Sequence, residues 1–211
     1  MKMRLTRRAL LRGVGAGVFA GAVRGPAWAA TARTPSQGEG PFYPVGWTAN
    51  AGPDLIGIGH GAVRASGQPL ALSGRVLDAV GRPLAGVRVE IWQCDHRGVY
   101  RHPRDRGRGR VDAGFRGFGA MSTDLEGGFT FHTIVPVPYP GRPPHIHAKL
   151  KRGSQELLTT QLYLKGNPSN RRDGLLSFLG PGRRAALMLA LRESVLHGRI
   201  PAMAATFDFG V

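Results

Sequence analysis

The chain is predicted to be mainly β, a β-sandwich core with long loops and a short C-terminal helix. Three observations lead there. Short stretches alternating apolar and polar residues recur at about 10–15-residue intervals. Glycine and proline are abundant, at 32 and 16 of 211 residues, which favours turns over long helices. Helical spacing of apolar residues shows only once, near the end of the chain.

Residues 31–61, rich in proline and glycine, predict an ordered arm, because Phe42, Tyr43 and Trp47 need burial. A strand follows at 70–78, with Leu70, Leu72, Gly74 and Val76 on one face, and turn residues fill 79–86. At 87–93, Val87, Val89 and Ile91 alternate with Arg88, Glu90 and Trp92. A Gly/Arg-rich loop spans 95–119, then 121–135 forms strand–turn–strand with its bend at Glu126–Gly127–Gly128. Segments 145–153 and 156–164 make a strand pair around Gly153–Ser154. The helix is expected over 181–198, with Leu187, Met188, Leu191 and Val195 on one side and Gly198 as its stop. Residues 205–211 close the fold as a strand presenting Phe207, Phe209 and Val211.

Residues 1–29 have a basic start, a Gly/Ala/Val-rich middle and a small-residue end at Ala27–Trp28–Ala29, the layout of a signal peptide. Arg7–Arg8 gives it a twin-arginine character, so the protein is expected to be exported, to the periplasm or beyond, with residues 30–211 as a single domain. Removing the six basic residues of the signal lowers the formal charge from +16 to +10. The remaining excess would steer small anions, but no nucleic-acid-binding motif accompanies it, and no membrane anchor is expected after cleavage. Cys94 is the only cysteine, which excludes an intramolecular disulfide and a thiolate metal cluster.

His145 and His147 stand two apart in a strand-like segment, so both imidazoles project to one side. Such a pair begins a metal site or decorates a strand surface. Tyr100 and Tyr139 add phenol oxygens that, ionised, suit a hard cation; each alone is equally a core or rim tyrosine.

Taken together, "EGPFYP", "LSGRVLDAVGRPLAGVRVEIWQCDHRGVYRH", "FRGFGAMSTDLEGGFTFHTIVPVPYPGRPPHIH" and "LLTTQLYLKGNP" resemble the intradiol ring-cleavage dioxygenases, in particular their protocatechuate 3,4-dioxygenase-like core. The resemblance runs from about Gly40 to Asp173. It implies a β-sandwich whose Tyr100, Tyr139, His145 and His147 ligate one mononuclear non-haem Fe(III). It also implies a small catecholic substrate cleaved with O2 to a cis,cis-muconate-type dicarboxylate. Tyr139 would be the ligand released when substrate arrives, Arg142 would stabilise charge on the reacting ring, and Gln161 would lie beside the substrate. The segment Gly40–Tyr43 would border the pocket. Two features depart from familiar members: only Pro140 and Gly141 separate Tyr139 from Arg142, and no long N-terminal helical region is present. The ring substituents and the oligomeric state stay open, a homo-oligomer included. Two rival readings remain: a non-catalytic transthyretin-like module binding cell-wall polymer or polysaccharide, and a zinc or copper protein using the histidines alone.

Overall fold

A computed structural model describes residues 31–46, 51–58, 65–105, 109–197 and 199–211. The expected signal, Trp47 and Gly198 lie outside these residues. The described chain forms strands β1 (Pro69–Leu77), β2 (Arg88–Trp92), β3 (Phe118–Ser122), β4 (Gly128–Ile134), β5 (His145–Arg152) and β6 (Gln155–Leu164). Two short helices follow, α1 (Gly174–Ser177) and α2 (Pro181–Ala185), then β7 (Met188–Leu189), β8 (Arg192–Leu196), β9 (Ile200–Thr206) and β10 (Phe209–Gly210).

Two five-stranded sheets result. In one, β1 pairs with β4 on one edge and with β9 and β10 on the other, and β8 extends β9; in the second the order is β3-β2-β5-β6-β7. The expected alternation produces the core between them. Leu70, Leu72 and Val76 of β1 and Phe129 and Phe131 of β4 pack with Val89 and Ile91 of β2 and Ile146, Ala148 and Leu150 of β5. Gly74 within β1 is required by close approach, since a Cβ there would lie 1.8 Å from the Phe207 carbonyl oxygen. Both turns lie where expected, with Gly127 between β3 and β4, which join different sheets, and Gly153 in the β5–β6 hairpin, at positive φ of 71° and 58°.

The late helix is the main correction. It covers only Pro181–Ala185, and further along the expected span Met188–Leu189 and Arg192–Leu196 are strands. Met188 and Leu189 pair with Tyr163 and Leu164, while Arg192–Leu196 pairs with β9. Leu187, Leu189 and Leu191 also carry a two-residue period, so the segment fits either element, and sheet pairing decided the outcome. The expected closing strand is likewise broken at Phe207–Asp208, where Asp208 accepts a hydrogen bond from the Arg75 backbone N–H at 2.9 Å.

Strand β5 is buried on both faces, which places the site. Its even-numbered residues face the other sheet, whereas His145, His147 and Lys149 face a cover made by the arm. Thr34 N–H donates to Gly210 O at 3.0 Å, tying the arm to β10 of the first sheet, and Gln37 N–H to Thr159 O at 2.9 Å, tying it to β6 of the second. Glu39 then pairs with Lys149, and Tyr43 donates to Glu90 at 2.7 Å. Half-buried Phe42 and Tyr43 thus behave as the composition of the arm predicts.

Candidate active site

Sheet register assembles half of the site. His147 lies opposite Trp92 on β2 and Gln161 on β6, and His145 lies opposite Tyr163. One outward row therefore reads Trp92–His147–Gln161, and the next places Tyr163 beside His145. The Trp92 and His147 rings stack at 4.7 Å with 8° between planes, which holds the imidazole flat against the indole. Gly40 of the arm covers that imidazole at a φ of +78°, and a Cβ there would lie 3.3 Å from His147 Cε1.

Loops supply the rest. Tyr100 lies in the long β2–β3 connection, which Asp95 organises by accepting from Arg97 N at 2.9 Å, Val99 N at 3.0 Å and Asp112 N at 2.9 Å. Asp105 accepts from Tyr100 N at 2.7 Å, and Phe42 stacks on the Tyr100 ring at 4.6 Å. Tyr139 and Arg142 flank a tight turn closed by Arg142 N–H donating to Tyr139 O at 2.9 Å, with Gly141 at φ +83°. Proline followed by a positive-φ glycine is the pattern of a type II turn, which explains how two residues suffice between Tyr139 and Arg142.

The structure brings all the expected residues together. Tyr139 is 5.4 Å from Tyr100 and 5.5 Å from His145, and Tyr100 is 6.2 Å from His147, between ring centroids. Arg142 and Gln161 adjoin the cluster, with Arg142 Nη2 donating to Gln161 Oε1 at 2.5 Å. His102, not one of the predicted set, packs edge-on against Phe42 at 5.8 Å. Cys94 is buried nearby with its thiol pushed up to about 12, by burial first and then by Asp95, so it stays protonated.

The hydrogen bonding of these side chains fits a cation. His145 Nδ1 lies 2.7 Å from Pro143 O, and a carbonyl only accepts, so Nδ1 carries the proton and Nε2 is a bare lone pair. That lone pair lies 3.1 Å from His147 Nε2. If His147 carries its proton on Nδ1, two lone pairs face each other; if on Nε2, buried Nδ1 is an acceptor without a donor among the described residues. With the proton on Nδ1, a shared cation would relieve the two facing Nε2 lone pairs. Burial, then His145 and Arg142, holds the His147 pKa well below its ordinary value, and burial followed by Arg142 lowers His145 to about 4. Both rings are thus neutral, as metal ligation requires. Tyr100 is 3% exposed, and its hydroxyl has no hydrogen-bond partner among the described residues. Burial, then Cys94 and Tyr139, raises its pKa well above the ordinary phenol, so a phenolate here requires a strong positive charge beside it. Two neutral nitrogens and two phenol oxygens suit a hard trivalent ion better than zinc or copper.

Two members of the cluster are absent from the sequence reading. Tyr163 shares the outward face with Gln161, a two-residue spacing that strand parity makes visible. Its hydroxyl receives Arg142 Nη2 at 3.2 Å and donates to Gln37 Oε1 at 3.0 Å. Asp173 is fully buried at its side chain and accepts from Arg142 Nε at 2.7 Å. Its sequence signal is an aspartate immediately before a short apolar helix, the position of an N-cap.

Comparison with known proteins gives the family. A family model described as dioxygenase matches residues 39–211. The protocatechuate 3,4-dioxygenase beta chain of Burkholderia cepacia is 37% identical over 141 residues, covering 60% of this chain and 59% of that protein. Catechol 1,2-dioxygenase 1 of Acinetobacter lwoffii is 31% identical over 153 residues, covering 64% and 47%. The chain therefore spans about half to three-fifths of the length of these relatives. Among solved structures, the dioxygenase domain of a dioxygenase–carbohydrate-binding protein fusion from Streptomyces sp. SirexAA-E is 34% identical with a TM-score of 0.63, covering 85% of this chain and 98% of that one. An intradiol ring-cleavage dioxygenase from Tetranychus urticae, at 19% identity and a TM-score of 0.67, shares the fold. With a match across residues 39–211 and these relatives, the chain belongs to the intradiol ring-cleavage dioxygenase family.

Proposed function

We propose that this protein is an exported, Fe(III)-dependent intradiol dioxygenase that cleaves a small catechol with O2 to a cis,cis-muconate-type dicarboxylate. The observation that carries the reading is the convergence of His145, His147, Tyr100 and Tyr139, with facing imidazole nitrogens and a buried Tyr100 phenol that has no partner among the described residues. These four side chains would hold the iron. Bound ferric iron would supply the Lewis acidity that draws electron density from a catechol held through both oxygens.

The chain's own residues divide the remaining work. Tyr139 sits half-buried on the Pro140–Gly141 turn, and its phenol oxygen is the proposed acceptor for a catechol hydroxyl proton. Arg142, held by Asp173, Gln161 and Tyr163, offers a permanent charge to the ring oxygen that gains electron density. Gln161 is oriented by donating its amide to Gly38 O at 2.9 Å, so its carbonyl faces Arg142. Phe42 and Trp92 exclude water from the ligand rings. A polymer-binding module needs no buried cluster of neutral ligands, so the non-catalytic reading leaves these features without a role.

Residues 1–29 are proposed to be a twin-arginine export signal ahead of one dioxygenase domain from residue 30, supported by the Arg7–Arg8 pair and Ala27–Trp28–Ala29. Ferric-loaded protein given catechol should consume one O2 per ring and form a product with muconate-type ultraviolet absorption. Absence of uptake across catechol, protocatechuate, hydroxyquinol and chlorocatechols, or formation of a yellow semialdehyde, would overturn the reading.

A further inference from the structure

We infer that Asp173 is a positioning residue for this reaction, aiming the Arg142 guanidinium at the reacting ring through a buried carboxylate. This rests on the dioxygenase reading above. The two-residue turn beneath Arg142 fixes its backbone but leaves a long side chain free to rotate, so the direction of the guanidinium must come from its partners. Three acceptors hold it: Asp173 Oδ2 takes Nε at 2.7 Å, while Gln161 Oε1 and Tyr163 Oη take Nη2 at 2.5 and 3.2 Å. Asp173 is the carboxylate that balances its charge among the described residues.

Asp173 also caps α1, its Oδ1 accepting from Leu176 N at 2.8 Å. Capping does not explain the residue by itself. A cap needs one oxygen and no charge, and serine or asparagine serves as well. Burying a carboxylate is costly unless a cation is bonded to it, so the second oxygen and the charge are surplus to the helix and matched to Arg142. One side chain thereby links the orientation of the active-site arginine to the loop after β6.

The test is Asp173→Ser, which keeps the cap oxygen and removes the partner of Arg142, with Asp173→Asn as the second variant. In ferric-loaded protein, kcat on catechol should fall about tenfold to a hundredfold, with KM within about threefold and the visible iron band retained. In the Arg142→Ala background the same change should cost nothing further. In metal-free protein, NMR should find Arg142 Nε–H protected from solvent exchange in the wild type and unprotected in D173S, while Leu176 N–H stays protected in both. Unchanged kcat, an equal loss in the Arg142→Ala background, a protected Nε–H in D173S, or failure of both variants to fold would each overturn the inference. Wild-type protein that takes up no O2 with any catechol would instead overturn the dioxygenase reading and leave the NMR result standing alone.

Discussion

The two halves of the candidate site are held in different ways. His145, His147, Gln161 and Tyr163 project from β5 and β6, where sheet register fixes their neighbours within a continuous ladder. Tyr100, Tyr139 and Arg142 come from loops, held by Asp95, by a Pro–Gly turn and by Asp173. The strand half is buried, and its two imidazole Nε2 atoms face each other at 3.1 Å. The loop half is graded: Tyr100 is sealed beneath Phe42, whereas Tyr139 and Arg142 are only partly covered. The proposed ferric centre would have to keep its cation and still admit substrate, which calls for both kinds of support and makes Tyr139, the more accessible tyrosine, the one better placed to move.

The largest effect should come from the strand half. His147→Ala removes one of the two facing imidazoles proposed to hold iron and should lower iron content after ferric loading by at least about tenfold, as metal analysis of the desalted protein will read. Retention of full iron would break the comparison, because the loops alone would then suffice.

Acidity acts on the same half. Burial lowers the His145 pKa from 6.5 to about 4, so the unfolded chain binds the proton more tightly. Stability of the metal-free protein should therefore be complete above pH 6.5 and decline as pH falls towards about 4, by roughly 3 kcal/mol in this interval, with no further loss from this residue below it. Denaturant melts across that range, compared with His145→Gln, will read the slope; an identical slope in the variant contradicts the assignment.

The tyrosines should respond with opposite emphasis. Tyr100→Phe removes a buried hydroxyl without a partner among the described residues, so the metal-free protein should gain about 1 kcal/mol even as the iron-loaded protein loses much of its visible band. Tyr139→Phe, at a half-exposed turn, should change metal-free stability less. Equal unfolding free energies for the two variants would erase the distinction drawn between them. A smaller effect is expected in the arm: Gly40→Ala introduces a Cβ at φ +78° against His147 and should cost about 1 kcal/mol in the same melts.

The sequence was informative where periodicity governs. Alternation located β1, β2, β4, β5 and β6, and the two-residue spacing of His145 and His147 placed both on one face. It misled at 186–196, where leucines satisfy helical and strand periods together and the choice depended on pairing with β6 and β9. Tyr100 and Tyr139 carry no periodic signal, because loops bring them to β5, and only resemblance to a family picked them out. Asp173 remained hidden for a related reason: its cap position is local, but its bond to Arg142 crosses 31 residues of chain.

The most direct test of the account is the visible spectrum of purified, ferric-loaded protein, recorded before and after anaerobic addition of catechol. One iron per chain, a broad tyrosinate-to-iron band, its change on catechol binding and its loss in the Tyr100→Phe/Tyr139→Phe double variant are the predicted results. Colourless protein after ferric loading, or a double variant that keeps the full band, would contradict the central claim that strand histidines and loop tyrosines form one ferric centre.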